Sequence, residues 1–188
     1  MESKKENNLL KKETYVLYLL NKLSSKADKY RVNKIAFLAE FAYIYKNNTP
    51  LSEIEYAAID KGPVIDEYKL LFKKMEKAGQ IKIDKIFLRP LKDADVSDVS
   101  PEIIQQLDDL IEKFNKFDTN SLIALTHSFD SYIITTQNER VMGKIIDKSL
   151  ANLDIYFDDN LDKYQDNQIL TNQLPKLNRE DLVKYDSK

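Results

Sequence analysis

The chain contains no cysteine and a single histidine among its 188 residues. The missing thiols exclude a disulfide framework, a cysteine-ligated metal site and a thiol nucleophile. His127 alone cannot form the histidine pairs typical of zinc sites, and no G-x-S-x-G turn presents a serine to it. We therefore predict no catalytic residue, no metal site and no cofactor, and a protein that is not an enzyme.

Glycine and proline are also scarce, with three and five residues respectively. Gly62, Gly79 and Gly143 lie too far apart to form a glycine-rich loop for phosphate. Because few positions suit sharp turns, the composition predicts mostly helices joined by short connections.

No segment has the pattern of a leader or a membrane helix. The N-terminus opens with charged residues, and the longest apolar run, Ile35 to Tyr45, contains Glu40 and is too short to span a bilayer. We expect a cytoplasmic protein without a membrane partner.

The net charge of −2 conceals an asymmetry between the two halves of the chain. Residues 1–92 hold 19 Lys/Arg against 12 Asp/Glu, whereas residues 93–188 hold 10 against 19. Such halves either attract each other within one folded domain, or the basic half approaches an anionic partner.

Apolar periodicity and capping residues predict helices along most of the chain. They are expected over residues 9–23, 30–46, 63–78, 101–114 and 119–126, with part of 129–150 also helical. The second helix is apolar almost all round, which is typical of a buried central helix, so Glu40 within it needs a Lys, Arg or backbone partner. Pro63 suits the first position of the third helix, and Gly79 suits its left-handed end.

The predicted fold is mainly α, a compact helical domain of about five to six helices with a small β-hairpin. The hairpin is expected over residues 80–88, where apolar and polar residues alternate. We assign residues 1–150 to this domain and 151–188 to an acidic C-terminal extension. Interleaved aspartates and aromatic residues in that extension are typical of a segment that is flexible or becomes ordered on a partner.

Helices with a small hairpin also form winged helix-turn-helix domains, so a DNA-binding regulator is the alternative hypothesis. The third helix carries Lys69, Lys73, Lys74 and Lys77 opposite its apolar stripe. A recognition helix would present such residues to the major groove. Arginine, the commoner base reader, is rare in this half, and a lysine-rich face is usually just solvated.

Three segments together resemble a known family. They are YRVNKIAFLAE at residues 30–40, YAAIDKGPV at residues 56–64 and LTH at residues 125–127. This ordered set resembles the Panacea domain, the SocA-like family of phage-associated proteins and antitoxins. The family often has a tryptophan a few residues after the histidine, where Tyr132 stands here.

The resemblance implies a mostly helical domain that acts as the antitoxin of a two-gene toxin–antitoxin pair. Its partner would be a cognate protein toxin, neutralised by direct contact or handed to an AAA+ protease by an adaptor route. The motif residues near the Gly-Pro turn are the candidate partner contacts: Tyr56, Lys61, Gly62, Pro63, Val64 and His127. Of these, Tyr56, Lys61 and His127 are expected to form a polar patch, while Gly62 and Pro63 also suit an architectural role.

Overall fold

The computed structural model of the chain describes residues 9–23 and 27–157. Within these ranges the chain forms six α-helices, two short 3₁₀ helices and two small antiparallel sheets. The helices are α1 (Lys12–Leu23), α2 (Lys29–Asn47), α3 (Tyr68–Lys77), α4 (Pro101–Asn115), α5 (Thr119–His127) and α6 (Asp130–Thr136). The strands are β1 (Tyr56–Ile59), β2 (Gly62–Ile65), β3 (Ile81–Asp84), β4 (Phe87–Pro90) and β5 (Lys144–Ile145). The mainly α character is confirmed, and one sheet was not expected.

Helix α2 forms the centre of the core. Every residue from Arg31 to Ile44 is buried, as its apolar pattern predicts, and α1, α4, α5 and β2 pack around it. The helix begins after Asp28, whose carboxylate accepts the N–H groups of Tyr30 and Arg31. Because the helix is buried on all sides, its polar side chains need hydrogen-bond partners within the protein.

Glu40 is such a polar residue, and its carboxylate is fully bonded although it is entirely buried. Its Oε1 accepts the Lys148 ammonium at 2.7 Å and the backbone N–H groups of Leu51 and Ser52. Its Oε2 accepts the Ser52 hydroxyl at 2.6 Å. The expected lysine and backbone partners are therefore confirmed. The Lys148 contact joins the first 3₁₀ helix, Lys148–Leu153, to the centre of the core.

Several other local signals predicted their elements correctly. Helix α4 begins after Ser100, whose hydroxyl accepts the Ile103 N–H, and Pro101 takes its first position. The expected hairpin is the pair β3–β4, in register from Ile81 opposite Pro90 to Asp84 opposite Phe87. These elements depend on caps and periodicity within a few residues, which explains why the sequence alone predicts them.

The prediction that Pro63 opens the third helix is wrong. Gly62–Ile65 is strand β2, and α3 begins only at Tyr68. Gly62, with φ of 83°, ends a two-residue turn that pairs β2 with β1 in a tight hairpin. Proline lacks an N–H, so it suits the outer edge of a strand as well as the start of a helix. The β1–β2 hairpin and the short β5 make the second sheet, in the order β2-β1-β5.

Packed structure continues to the end of the described residues. Ala151, Asp154 and Phe157 are buried, and the Phe157 ring lies 4.9 Å from that of Phe129 between centroids. The division of the chain at residue 150 stays a prediction. Most of the acidic extension, residues 158–188, lies outside the described part of the chain.

Candidate functional site

The motif segments meet at Gly62, at the end of the β1–β2 turn. A Cβ atom at this glycine would lie 2.8 Å from Thr126 Oγ1, 3.0 Å from His127 Cδ2 and 3.0 Å from Lys34 Nζ. The three contacts come from the C-terminal end of α5 and from α2. The absent side chain of Gly62 therefore permits α2, the hairpin and α5 to approach one another this closely.

Helix α2 closes the outer edge of β2 with two side chains. The Lys34 ammonium donates to the Pro63 carbonyl at 2.8 Å, and the Asn33 amide oxygen accepts the Ile65 N–H at 2.8 Å. Pro63 has no N–H to leave unpaired. Helix α2 thus covers the outer edge of β2 and bonds the Pro63 carbonyl and the Ile65 N–H, so a further strand has no room on that side.

Lys34 is buried without a carboxylate beside it. Its side chain is 1% exposed, and no described Asp or Glu forms an ion pair with it. Burial lowers the pKa of its ammonium from 10.5 to about 7. The Lys34 amine therefore serves mainly as a hydrogen-bond donor to the Pro63 carbonyl of the hairpin. Below about pH 7 the amine is protonated, and burial of this charge lowers the free energy of unfolding.

Replacing Lys34 with methionine is expected to weaken the pH dependence of stability. The unfolded chain holds this proton up to about pH 10.5, whereas the folded chain releases it near pH 7. The free energy of unfolding of the unmodified chain should therefore rise as the pH increases from about 7 towards 10.5. Urea unfolding at several pH values below 9.5, before tyrosines ionise, measures the slope. The exposed Lys82→Met variant is the control, and equal slopes in all three proteins would contradict the assignment.

His127 joins three elements at the end of α5. Its Nδ1 lies 2.9 Å from Glu139 Oε1, and its ring centroid lies 4.7 Å from that of Tyr132 in α6. The Tyr132 hydroxyl donates to the Ile59 carbonyl at 2.9 Å, so α6 is bonded to the hairpin as well. Burial raises the pKa of Tyr132, which keeps this hydroxyl a donor. His127 Nε2 is buried and has no hydrogen-bond partner within the described residues.

The structure brings together some of the predicted site residues and separates others. Gly62, Pro63 and His127 lie at one junction, but Tyr56 is entirely buried and donates to the Ala36 carbonyl at 2.9 Å. Tyr56 is therefore part of the core, which differs from the expected polar patch. Lys61 is half-buried, with its ammonium 5.4 Å from the centre of the Tyr30 ring. Val64 is half-buried on the opposite face of the sheet from the core.

Sequence reasoning did not assign a role to Lys34 or Asn33, although both lie in the first motif segment. Their signal is that they are polar residues beside the all-apolar stretch of a helix expected to be buried. The same argument applied to Glu40 succeeded. Within the described residues, no group of three or more His, Asp or Glu side chains could hold a metal ion. The junction consists instead of hydrogen bonds that fasten one element to another.

The family model described as Antitoxin SocA-like, Panacea domain matches residues 32–131. The chain belongs to this family. The Panacea match runs from α2 through the start of α6 and so includes every residue of the junction from Lys34 to His127. A search of curated proteins found no significant match, and a search of solved structures found none. In the described ranges, no helix of this Panacea domain has both the length and the apolar character needed to cross a bilayer.

Proposed function

We propose that the chain is an antitoxin that binds a cognate protein toxin and neutralises it by direct contact. The observation that supports this is the Panacea match across residues 32–131. The motif residues at the junction hold secondary-structure elements together, and such a structural role fits a binding protein. A protein of this kind acts through the surface that its core supports rather than through a reactive group.

The proposed contact residues are those of the predicted set that reach the surface. Lys61, Val64 and His127 are half-buried, so each offers part of its side chain to a partner. Tyr56, Gly62 and Pro63 are buried and would act by shaping the hairpin. The C-terminal extension, proposed to become ordered on the partner, lies outside the described residues.

Co-expression with the product of the adjacent reading frame tests the proposal. That product is expected to stop growth when expressed alone and to be harmless when this chain is present. A version of the chain with an early stop codon is the control, because it keeps the transcript and removes the protein. Growth arrest that persists with the intact chain would reject the antitoxin function.

The amount of toxin in the rescued cells separates the two routes of neutralisation. Direct inhibition leaves the toxin at a constant level, whereas an adaptor that delivers it to an AAA+ protease lowers that level. Retention of operon DNA by the purified chain, weakened by salt, would instead support the regulator hypothesis. In that hypothesis α3 would face DNA, although its Lys74 ammonium already lies 2.6 Å from Glu13 Oε1.

A further inference from the structure

One face of the β2-β1-β5 sheet points away from the core and is apolar. Ala57 pairs with Val64 on one side and with Ile145 on the other, so these three side chains share that face across all three strands. Ile59 follows two residues after Ala57 and therefore lies on the same face. Ile145 is 46% exposed. No described element covers this row of apolar side chains completely.

Helix α3 turns this face into a groove. A cavity of about 330 Å³ lies between the sheet and the start of α3. We call it the hairpin groove. Ala57, Ile59 and Val64 lie on its floor, and Asp66, Glu67, Lys69 and Leu70 lie at its rim. Leu70 projects from the first turn of α3 and is 62% exposed, more than any other large apolar side chain among the described residues. A contiguous apolar surface with a polar rim is typical of protein contact sites.

The rim of the hairpin groove is acidic. Asp66 and Glu67 line it, and Glu55 lies beside Asp66, whose N–H donates to the Glu55 carbonyl at 2.8 Å. None of these three carboxylates forms an ion pair with a described residue. The charged residues that line the groove are Asp66, Glu67 and Lys69, so the lining carries a net charge of −1 in a half of the chain that is basic.

Glu67, with φ of 52°, is one of six non-glycine residues with a positive φ among the described residues. Its side chain does not cap α3. The Glu67 carboxylate therefore lies at the rim without an ion-pair partner among the described residues.

The closed edge of β2 decides how a partner would bind here. Helix α2 packs along the outer edge of β2, where Lys34 bonds the Pro63 carbonyl and Asn33 bonds the Ile65 N–H. Because α2 occupies the place of a further strand, binding at this hairpin depends on side chains that enter the groove. Acidic groups around an apolar floor complement a basic surface that presents an apolar side chain.

We infer that the hairpin groove is the surface that binds the cognate toxin. This inference rests on the proposed antitoxin function and adds to it the chemistry of the partner. The toxin contributes a Lys- or Arg-bearing surface that faces Asp66 and Glu67. One of its apolar side chains enters the groove between Val64 and Leu70.

Leu70→Asp tests the apolar part. Leu91→Asp is the matched control, because Leu91 is 58% exposed and follows directly after β4, away from the groove lining. Aspartate in the first turn of α3 favours the helix dipole, so the variant should fold. Calorimetry with the purified product of the adjacent reading frame measures affinity. We expect Leu70→Asp to weaken binding by about tenfold or more, as for a central contact residue, and Leu91→Asp to change it by less than about twofold.

Glu67→Lys tests the acidic rim, with Glu112→Lys on the exposed side of α4 as its control. We expect slower association for Glu67→Lys, with a smaller dependence on salt, and no change for Glu112→Lys. If the unmodified chain binds the toxin and neither groove variant weakens it, the groove assignment is overturned and the antitoxin function stands. If the unmodified chain neither binds nor protects, both fail. A dimer of the chain alone that Leu70→Asp dissociates would also overturn it, because a second copy would then occupy the groove.

Discussion

Gly62→Ala is expected to lower the free energy of unfolding by about 2–5 kcal/mol. The residue has φ of 83°, and left-handed backbone costs an L side chain about 1–2 kcal/mol. The added Cβ would also lie 2.8 Å from Thr126 Oγ1 and 3.0 Å from His127 Cδ2. Forcing one more carbon into a packed site costs about 1–3 kcal/mol. Urea unfolding followed by circular dichroism measures the loss.

Gly79→Ala is the control for this experiment. Gly79 also has a positive φ, 65°, but nothing lies within 4 Å of the Cβ it would gain. This variant should show only the backbone cost, about 1–2 kcal/mol. The difference between the two variants therefore reports the close approach of α2, α5 and the hairpin. Equal losses would show that the junction is looser than the distances indicate.

Lys148→Met is expected to destabilise the protein by about 3 kcal/mol. It leaves the Glu40 carboxylate buried at 0% exposure without its charged partner, which lies 2.7 Å away. Breaking a buried pair by removing one partner typically costs about 3–5 kcal/mol. The remaining bonds from Leu51 and Ser52 reduce that loss. Unfolding in urea at neutral pH measures it.

A second substitution distinguishes the charge from the packing of Lys148. In the Lys148→Met background, Glu40→Gln removes the uncompensated charge and should restore part of the lost stability. Lys74→Met provides the surface comparison, because the Lys74 side chain is 74% exposed in its pair with Glu13. That variant should cost less than about 1 kcal/mol. A loss for Lys148→Met no larger than this would contradict the role assigned to Glu40.

Local sequence signals were sufficient for part of this fold. The bounds of α1, α2, α4 and the β3–β4 hairpin follow closely from apolar periodicity and from caps such as Ser100. The caps and the apolar periodicity that define these elements involve residues close together in sequence, so a short window contains the signal. The burial of α2 followed in the same way, because a helix without a polar face must be covered on all sides.

The error at Pro63 has an equally specific cause. Proline after glycine fits a helix start and an edge strand equally well, since both positions lack a use for the N–H. The strand is favoured by the hydrogen bonds from Lys34 to Pro63 and from Ile65 to Asn33. These bonds join residues 29 and 32 positions apart in the sequence. No local pattern carries that information. Strand β1 also lacks the alternation of apolar and polar residues that indicates a strand, because Tyr56, Ala57 and Ala58 are all buried.

The amino-acid sequence established the helical class, the buried α2, the need of Glu40 for a partner and the resemblance to the Panacea family. Tertiary structure alone decided that Lys34, Gly62 and His127 meet at one junction, and that Tyr56 lies apart in the core. It also decided which carboxylates surround the apolar groove beside Leu70. The physical reason is that a helix or a cap depends on neighbours along the chain. A junction or a groove depends on distances between residues that only the packing of α2, α5 and the hairpin brings together.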